Sequence, residues 1–288
     1  VLKAVARAKL NLTLSVVGRR ADGYHILDSL VAFPDIGDEI VVQKADKVSL
    51  KIKGKFANGL KGHDNSILRV VRKLQELYGD FGVSIELNKT LPVASGIGGG
   101  SSDAATMFNC LSQLFNRPIP SVPVQLEIGA DVPVCISQKF QRMKGIGEDL
   151  TKLVTPPKLF VVLINMGNPL QTSKVFSALK HISGETLDDM PLFSNIDTLI
   201  DYLLKYGNDL QKVAIKVRPE IQQVLTAISK TSGCLISRMS GSGGTCFGLY
   251  STKGEAQNAK KELAEFFPYA WVKWAGLFSK RSGNSIVG

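Results

Sequence analysis

The sequence predicts an α+β protein built as two domains, and three observations carry that prediction. Segments with strand-like alternation or β-branched runs interleave with amphipathic helical patterns, without a parallel βαβ series. The second half closes in the order strand, glycine turn, strand, helix, strand, which suits helices on one face of an antiparallel sheet. The chain has 288 residues, 44% of them hydrophobic, enough for a substantial core and more than one domain usually holds.

Taken in order, strands are expected at Ala6–Ser15, Glu39–Gln43, Val48–Ile52, Val83–Leu87 and Leu159–Ile164. Asn65 or Ser66 can cap a helix whose apolar positions Ile67, Val70, Val71, Leu74, Leu77 and Tyr78 share one face, and a second helix is expected over Ser102–Phe115. Two prolines in TKLVTPPK, residues 151–158, precede the apolar run LFVVLI and mark a junction, giving domains 1–153 and 154–288. Beyond it the patterns predict helices at Thr172–Leu179, Ile196–Tyr206, Glu220–Ile228 and Glu255–Phe267, and strands at Cys234–Met239, Thr245–Tyr250 and Tyr269–Trp274. There is no internal repeat and no low-complexity tract.

No apolar run reaches the length of a membrane-spanning helix, and the first residues do not read as a secretory signal, so a soluble cytoplasmic protein is expected. Cys110, Cys135, Cys234 and Cys246 form no CxxC pair and read as reduced, mostly buried thiols. A formal net charge of +10 suits polyanionic small molecules or nucleic acid, and most often means a solvated basic face. No recognition helix or zinc finger pattern selects nucleic acid.

The chemistry concentrates in PVASGIGGGSSDAA, residues 92–105, between a strand and an amphipathic helix. Gly96, Gly98, Gly99 and Gly100 let backbone amides approach phosphate oxygens, Ser101 and Ser102 can cap the helix, and the helix start favours an anion. A Walker loop is excluded because no Gly-Lys-Ser or Gly-Lys-Thr occurs, and a dinucleotide fingerprint fails at Ser101. A glycine turn serving only close packing is the competing reading.

Three further pieces flank it. In AKLNL the two-residue strand period puts Lys9 and Asn11 on one side, a pair that an edge strand facing water explains equally well. The turn GRRADGYH, residues 18–25, carries Tyr24 and His25 side by side, suited to stacking and hydrogen bonding with a base. In GADVP, Asp131 sits among apolar residues; it either pairs with a cation such as Lys9 or bonds to its own turn backbone.

The glycine loop resembles the central motif of the GHMP kinase superfamily, in which it wraps the phosphates of ATP. AKLNL, GRRADGYH, DNSILR at 64–69, GADVPV, GIGE at 145–148, NDL at 208–210 and RMSGSGGTCF at 238–247 extend the resemblance over nearly the whole chain. Together they resemble the branch that phosphorylates the 2-hydroxyl of a cytidine-diphosphate-linked methylerythritol, on the non-mevalonate route to isoprenoid precursors.

That resemblance implies a two-domain GHMP kinase fold, with a ribosomal protein S5 domain 2-like N-terminal domain and a ferredoxin-like C-terminal domain. It implies Lys9 and Asp131 as the catalytic pair. It assigns ATP to Pro92, Val93, Ala94, Ser95, Gly96, Ile97, Gly98, Gly99, Gly100, Ser101 and Ser102, with Asn65 near the adenine. It assigns the acceptor to Asn11, Tyr24, His25 and Phe176, and sets Gly241 and Gly243 against the phosphate loop. Mg2+ is implied by ATP; its protein ligands are unassigned, with Ser102 a candidate. The partners implied are small molecules, without nucleic acid or membrane, for a monomer or weak homodimer.

One stretch departs from the pattern: NRPIPSVPVQLEI, residues 116–128, is short and proline-rich where the family carries a full helix, so either a loop replaces the helix or residues are missing there. The rival readings are a superfamily kinase acting on homoserine or mevalonate, which would not need DGYH, a catalytically dead nucleotide binder, which Lys9 and Asp131 argue against, and an RNA-binding domain.

Overall fold

The structure is a computed structural model that describes residues 1–58, 60, 65–182 and 184–279; Asp64 of the DNSILR motif lies outside the described residues. Along the first half run β1 (Leu2–Arg7), β2 (Leu10–Asn11), β3 (Ser15–Arg19), β4 (His25–Ala32), β5 (Gly37–Lys44), β6 (Ser49–Lys53), α1 (Ser66–Tyr78), β7 (Val83–Asn88), α2 (Gly99–Phe115), α3 (Val122–Ile128), α4 (Val132–Ser137), β8 (Gln141–Gly145) and β9 (Asp149–Lys152). The second half holds β10 (Leu159–Asn165), α5 (Thr172–Ser177), α6 (Ile196–Lys205), α7 (Gln211–Val217), α8 (Glu220–Lys230), β11 (Ile236–Met239), β12 (Thr245–Tyr250), α9 (Lys253–Phe266) and β13 (Trp271–Leu277).

Three sheets organise these elements: a mixed sheet in the order β1-β5-β7-β6, a second in the order β2-β4-β8-β9 with β3 on β4, and an antiparallel third in the order β11-β12-β10-β13. The single strand expected over Ala6–Ser15 is broken. Its first part pairs with β5 and its second with β4, so the chain changes sheet between Arg7 and Leu10. At the crossing the Ala8 and Lys9 amides leave both ladders and donate to the carbonyls of Ile36 and Ile97, each at 2.9 Å. Lys9 is thereby fixed at the seam between two sheets.

Asn65 is the cap of α1, its Oδ1 accepting from the Ile67 amide at 2.9 Å, and the helix buries Ile67, Val70, Val71 and Leu74. These pack with Ile40, Val42, Ile85 and Leu87 of the first sheet and with Met107 and Phe108 of α2 in one core. The helix expected from Ser102 instead starts at Gly99. Gly98 caps it in the left-handed region (φ 63°), and neither Ser101 nor Ser102 caps it with a side chain.

In the third sheet, the two-residue period explains why LFVVLI is apolar at every position. Leu159, Val161 and Leu163 face a core shared with Leu199 and Leu203 of α6 and with Leu10, Leu12, Leu91 and Ile97 of the first half. Val162 and Ile164 face α8 and α9 through Val224, Ile228, Ala259 and Leu263. Both faces of this sheet are therefore covered, one by helices and the other largely by the first half of the chain.

The stretch between Phe115 and Gly129 is not a plain loop. A short helix, α3, occupies Val122–Ile128, with a proline in its first turn, where the missing amide hydrogen costs nothing. All four cysteines are free, and burial pushes the Cys110 and Cys246 thiols up to about 12. Among the described residues no helix is long and apolar enough to cross a membrane.

Candidate active site

A cleft of about 1230 Å³ opens beside the glycine loop, lined by Lys9, Asn11, Tyr24, His25, Asn65, Asp131, Phe176 and the loop itself. Residues far apart in sequence are thus gathered on one cavity.

Lys9 Nζ lies 2.6 Å from Asp131 Oδ1. Lys9 is buried, whereas the Asp131 side chain keeps 35% of its surface, so the pair has one face open to the cleft. Asp131 precedes α4 but makes no side-chain bond to that helix, which leaves its carboxylate to the lysine and removes the self-capping alternative. Its loop is braced by the GIGE turn. A Cβ on Gly147 (φ +134°) would lie 2.2 Å from the Ala130 carbonyl oxygen, so only glycine lets that turn approach.

The glycine loop is held from three sides. Gly98 packs on Lys9, whose Cβ is 3.1 Å from where a Cβ on that glycine would stand. The Ser240 hydroxyl donates to the Gly96 carbonyl at 3.0 Å, and the Thr245 amide donates to the Ser95 carbonyl at 3.0 Å. A Cβ on Gly241 would come 2.7 Å from the Gly96 carbonyl oxygen, and one on Gly96 would come 2.6 Å from the Gly243 carbonyl oxygen. The second glycine turn is therefore packed backbone to backbone against the first.

Two loop residues assigned from the sequence do not present side chains to the cleft. Ser102 is fully buried and its hydroxyl donates to the Arg7 carbonyl at 2.6 Å, which withdraws it as a metal ligand and as a phosphate contact through its hydroxyl. Ile97 is likewise fully buried, in the core beneath the loop, and contributes backbone alone. Pro92, Val93, Ala94, Ser95, Gly96, Gly98, Gly99, Gly100 and Ser101 line the cleft.

At the opposite end, β3 and β4 form a hairpin whose tip exposes Tyr24 at 56% of its surface. The His25 ring lies against Phe176 of α5, with centroids 4.7 Å apart and planes at 30°. Burial first, then the charge of Arg19, holds the His25 pKa below its ordinary value, so the ring is neutral at pH 7 and one nitrogen remains an acceptor. Asn11 donates through Nδ2 to Ser29 Oγ at 2.7 Å, while its Oδ1 is buried without a protein partner.

The sequence reading missed a charged cluster under the loop. Lys89, at the end of β7, donates to Asp38 Oδ2 at 2.6 Å and to Asp103 Oδ2 in the first turns of α2. Asp38 Oδ1 also accepts from the Thr90 and Leu91 amides at 2.6 and 2.9 Å, which ties β5 to the strand leading into the loop. Burial, opposed by Lys89 and reinforced by Asp38, pushes Asp103 up to about 7. Asp103 was visible in the Ser-Ser-Asp of the motif, but its partners lie 65 and 14 residues away and nothing local points to them.

Known proteins share the sequence and the fold of this chain. The family model for the GHMP kinases N terminal domain matches residues 65–139, and the one for GHMP kinases C terminal matches residues 176–268. A protein from Cereibacter sphaeroides named 4-diphosphocytidyl-2-C-methyl-D-erythritol kinase is 44% identical over 273 residues, covering 94% of this chain and 97% of its own length. The chain belongs to the GHMP kinase family, among its 4-diphosphocytidyl-2-C-methyl-D-erythritol kinases.

A kinase of the same name from Paramagnetospirillum magneticum is 43% identical over 281 residues, with coverage of 95% and 98%. A crystal structure of 4-(cytidine 5'-diphospho)-2C-methyl-D-erythritol kinase superposes with a TM-score of 0.78 at 30% identity, covering 96% of this chain and 98% of that one. Homoserine kinase from Cytophaga hutchinsonii shares the fold at a TM-score of 0.70 and 17% identity over 100% of this chain and 97% of its own. The two-domain α+β GHMP kinase fold expected from the sequence is the fold observed.

Proposed function

We infer that this chain transfers the γ-phosphoryl group of ATP to the 2-hydroxyl of 4-diphosphocytidyl-2-C-methyl-D-erythritol, giving the 2-phosphate and ADP, in the non-mevalonate pathway to isoprenoid precursors. The observation that carries this reading is the half-open Lys9–Asp131 pair at 2.6 Å, on the same cleft as the glycine loop and the Tyr24–His25–Phe176 group.

In the reaction, Asp131 accepts the proton of the 2-hydroxyl as its oxygen bonds to the γ-phosphorus and the bond to the ADP oxygen breaks. Lys9 keeps Asp131 ionised and offsets the charge on the migrating group. The Gly96 to Ser101 backbone and the start of α2 hold the phosphates, and Asn65 stands toward the adenine. Cytosine stacks between Tyr24 and Phe176, with His25 bonding to the base, which requires the His25 ring to leave the Phe176 face it covers. Asn11, through its unpartnered Oδ1, accepts from an acceptor hydroxyl.

Mg2+ accompanies ATP on this reading. Among the described residues no group of three or more His, Cys, Asp and Glu side chains is arranged to hold a metal. Brought in with the phosphates of ATP beside the glycine loop, the ion would offset their negative charge. Residues 1–153 supply the loop and the ion pair, and residues 154–288 complete the acceptor site. The enzyme works in the cytoplasm as a monomer or weak homodimer, on small molecules, without nucleic acid or membrane.

The test is ATP consumption by the purified protein with Mg2+, offered the cytidine compound, homoserine or mevalonate. Turnover with the cytidine compound alone is expected. Turnover with homoserine or mevalonate in its place overturns the reading.

A further inference from the structure

The segment Gly207–Gln211, containing the NDL motif, touches neither end of the cleft directly yet is bonded to both. On one side it grips the strand that continues from Asn11. The Leu14 amide donates to the Gly207 carbonyl and the Asp209 amide to the Leu14 carbonyl, each at 2.9 Å, and Asp209 Oδ2 accepts from the Val16 amide at 2.8 Å. On the other side it grips the second glycine turn. Asn208 Nδ2 donates to the carbonyls of Met239 and Gly241, at 2.9 and 2.8 Å, and Gln211 Oε1 accepts from the Met239 amide at 2.9 Å. Asn208 Oδ1 accepts from the Leu210 amide at 2.9 Å, so both donors of the amide and its oxygen are in use.

The turn held by Asn208 is the one that presses on the phosphate loop. Between its two carbonyl acceptors stands Ser240, whose hydroxyl accepts from the Asn11 amide at 3.2 Å and donates to the Gly96 carbonyl at 3.0 Å. A single buried hydroxyl thus spans the distance from the acceptor-side strand to the donor-side loop. Its position is set by the flanking residues, and Asn208 bonds to both of them. We propose that Asn208 is a positioning residue for phosphoryl transfer: its amide fixes the Met239–Gly241 turn, and through Ser240 sets the phosphate loop against the segment Lys9 to Asn11. The side chain is suited to this task because it offers two donors to two carbonyls 2 residues apart. Aspartate, which is nearly the same shape, would set a carboxylate against both.

This proposal rests on the glycine loop being the ATP site and the segment Lys9 to Asn11 the acceptor side. The experiment compares Asn208→Ala and Asn208→Asp with the parent enzyme at a temperature where far-UV circular dichroism shows all three folded. Initial rates are measured against ATP and against the cytidine acceptor separately. The expected result is a KM for ATP raised about 10-fold in Asn208→Ala and more in Asn208→Asp, with kcat down by a similar factor and the acceptor KM within about twofold, the loss of positioning falling on the loop. Parent KM values with only a smaller active fraction would mean a merely structural role and overturn the proposal.

If the variants do not fold, the parent protein still decides the matter by hydrogen exchange with and without a non-hydrolysable ATP analogue. Slower exchange at residues 207–211 and 239–245, as well as in the phosphate loop, supports the coupling; protection confined to the loop refutes it. The parent's own turnover of the cytidine compound is the separate control. Its absence would sink the substrate assignment, while the exchange result would still stand or fall on the ATP site alone.

Discussion

On the proposed mechanism, replacing Asp131 by Asn removes the proton acceptor while keeping the shape of the side chain. The carboxylate oxygen 2.6 Å from Lys9 becomes an amide group that neither takes a proton at neutral pH nor balances the ammonium charge. Loss of general base catalysis is worth about 10²- to 10⁴-fold in rate, or about 2.7–5.4 kcal/mol in the barrier. The effect on folding is smaller. A fully buried ion pair broken from one side costs about 3–5 kcal/mol, but the Asp131 side chain keeps 35% of its surface and Lys9 can turn toward the cleft, so about 1–2 kcal/mol is expected.

The assay is steady-state phosphorylation of the cytidine compound with a separate measurement of ATP binding, and unfolding in urea for stability. The expected variant binds both substrates within a few-fold of the parent and turns over at 1% or less of its rate, a figure set by the same range for base catalysis of about 10²-fold or more. A variant that keeps most of its kcat refutes the assignment of Asp131 as base. One that loses ATP binding while bound complexes still react at the parent rate moves the residue to a binding role instead.

Gly147→Ala drives a methyl group into the Ala130 carbonyl at a backbone angle of φ +134°, so a loss of about 2–4 kcal/mol in urea unfolding is expected, together with a fall in kcat as the Asp131 loop shifts. On the proposed acceptor site, Phe176→Ala removes one face of the stack; at about 1–3 kcal/mol for stacking of a base on an aromatic ring, the acceptor KM is expected to rise about 5- to 150-fold while the ATP KM stays near that of the parent. Asp103 is held near 7 in the folded protein against 3.8 for the free carboxyl, so between those values the folded state keeps a proton that the unfolded state has lost. Its contribution to stability therefore falls as pH rises from about 4 through about 7. Urea unfolding of Asp103→Asn against the parent at pH 5 and pH 8 should show the difference shifting in favour of the variant at the higher pH; a difference independent of pH refutes the shift.

Periodicity was legible where burial matched it. The face of α1 at Ile67, Val70, Val71 and Leu74 and the strand Val83–Asn88 could be read from apolar spacing, although Leu77, expected on the same face, is exposed; Leu159–Asn165 and Thr245–Tyr250 could be read as strands from their largely apolar runs, not from alternation. Strand β8, QRMKG, could not, because its buried Arg142 becomes tolerable only through distant partners: the two carboxylate oxygens of Asp28 accept from it at 2.8 and 2.6 Å across 114 residues of chain, and the carbonyls of Leu187 and Asp188 accept at 2.6 and 3.3 Å. Around GRRADGYH only the turn shows in the sequence and not the β3–β4 hairpin, since a register shift between Val16 and Gly18 breaks the alternation that would reveal it. In the site, a Lys9–Asp131 pair is one of two readings the residues leave open, since a charge in an apolar setting needs a partner but a turn aspartate can bond to its own backbone, and only the family resemblance selects the pair. Ser102 was misjudged because the start of α2 moved upstream to Gly99, which turned a supposed cap into an inward-facing residue of the first turns.

The same shift bears on what the glycines are for. The sequence set phosphate access against close packing as alternatives, and the structure divides the four glycines between them. A Cβ on Gly96 would collide with the backbone of the second glycine turn, and one on Gly98 would press on Lys9 at 3.1 Å, so these two glycines are needed by the protein itself. At Gly99 and Gly100 the nearest atoms to such a Cβ are at 3.4 and 3.9 Å, ordinary contact, although both residues open α2, where glycine is a poor helix former. Their smallness is not used inside the fold, and they line the cleft at the end of a helix whose first amides have no intrahelical acceptor. The second pair thus leaves room for a ligand, while the first lets the loop reach both the lysine that faces Asp131 and the turn that Asn208 holds.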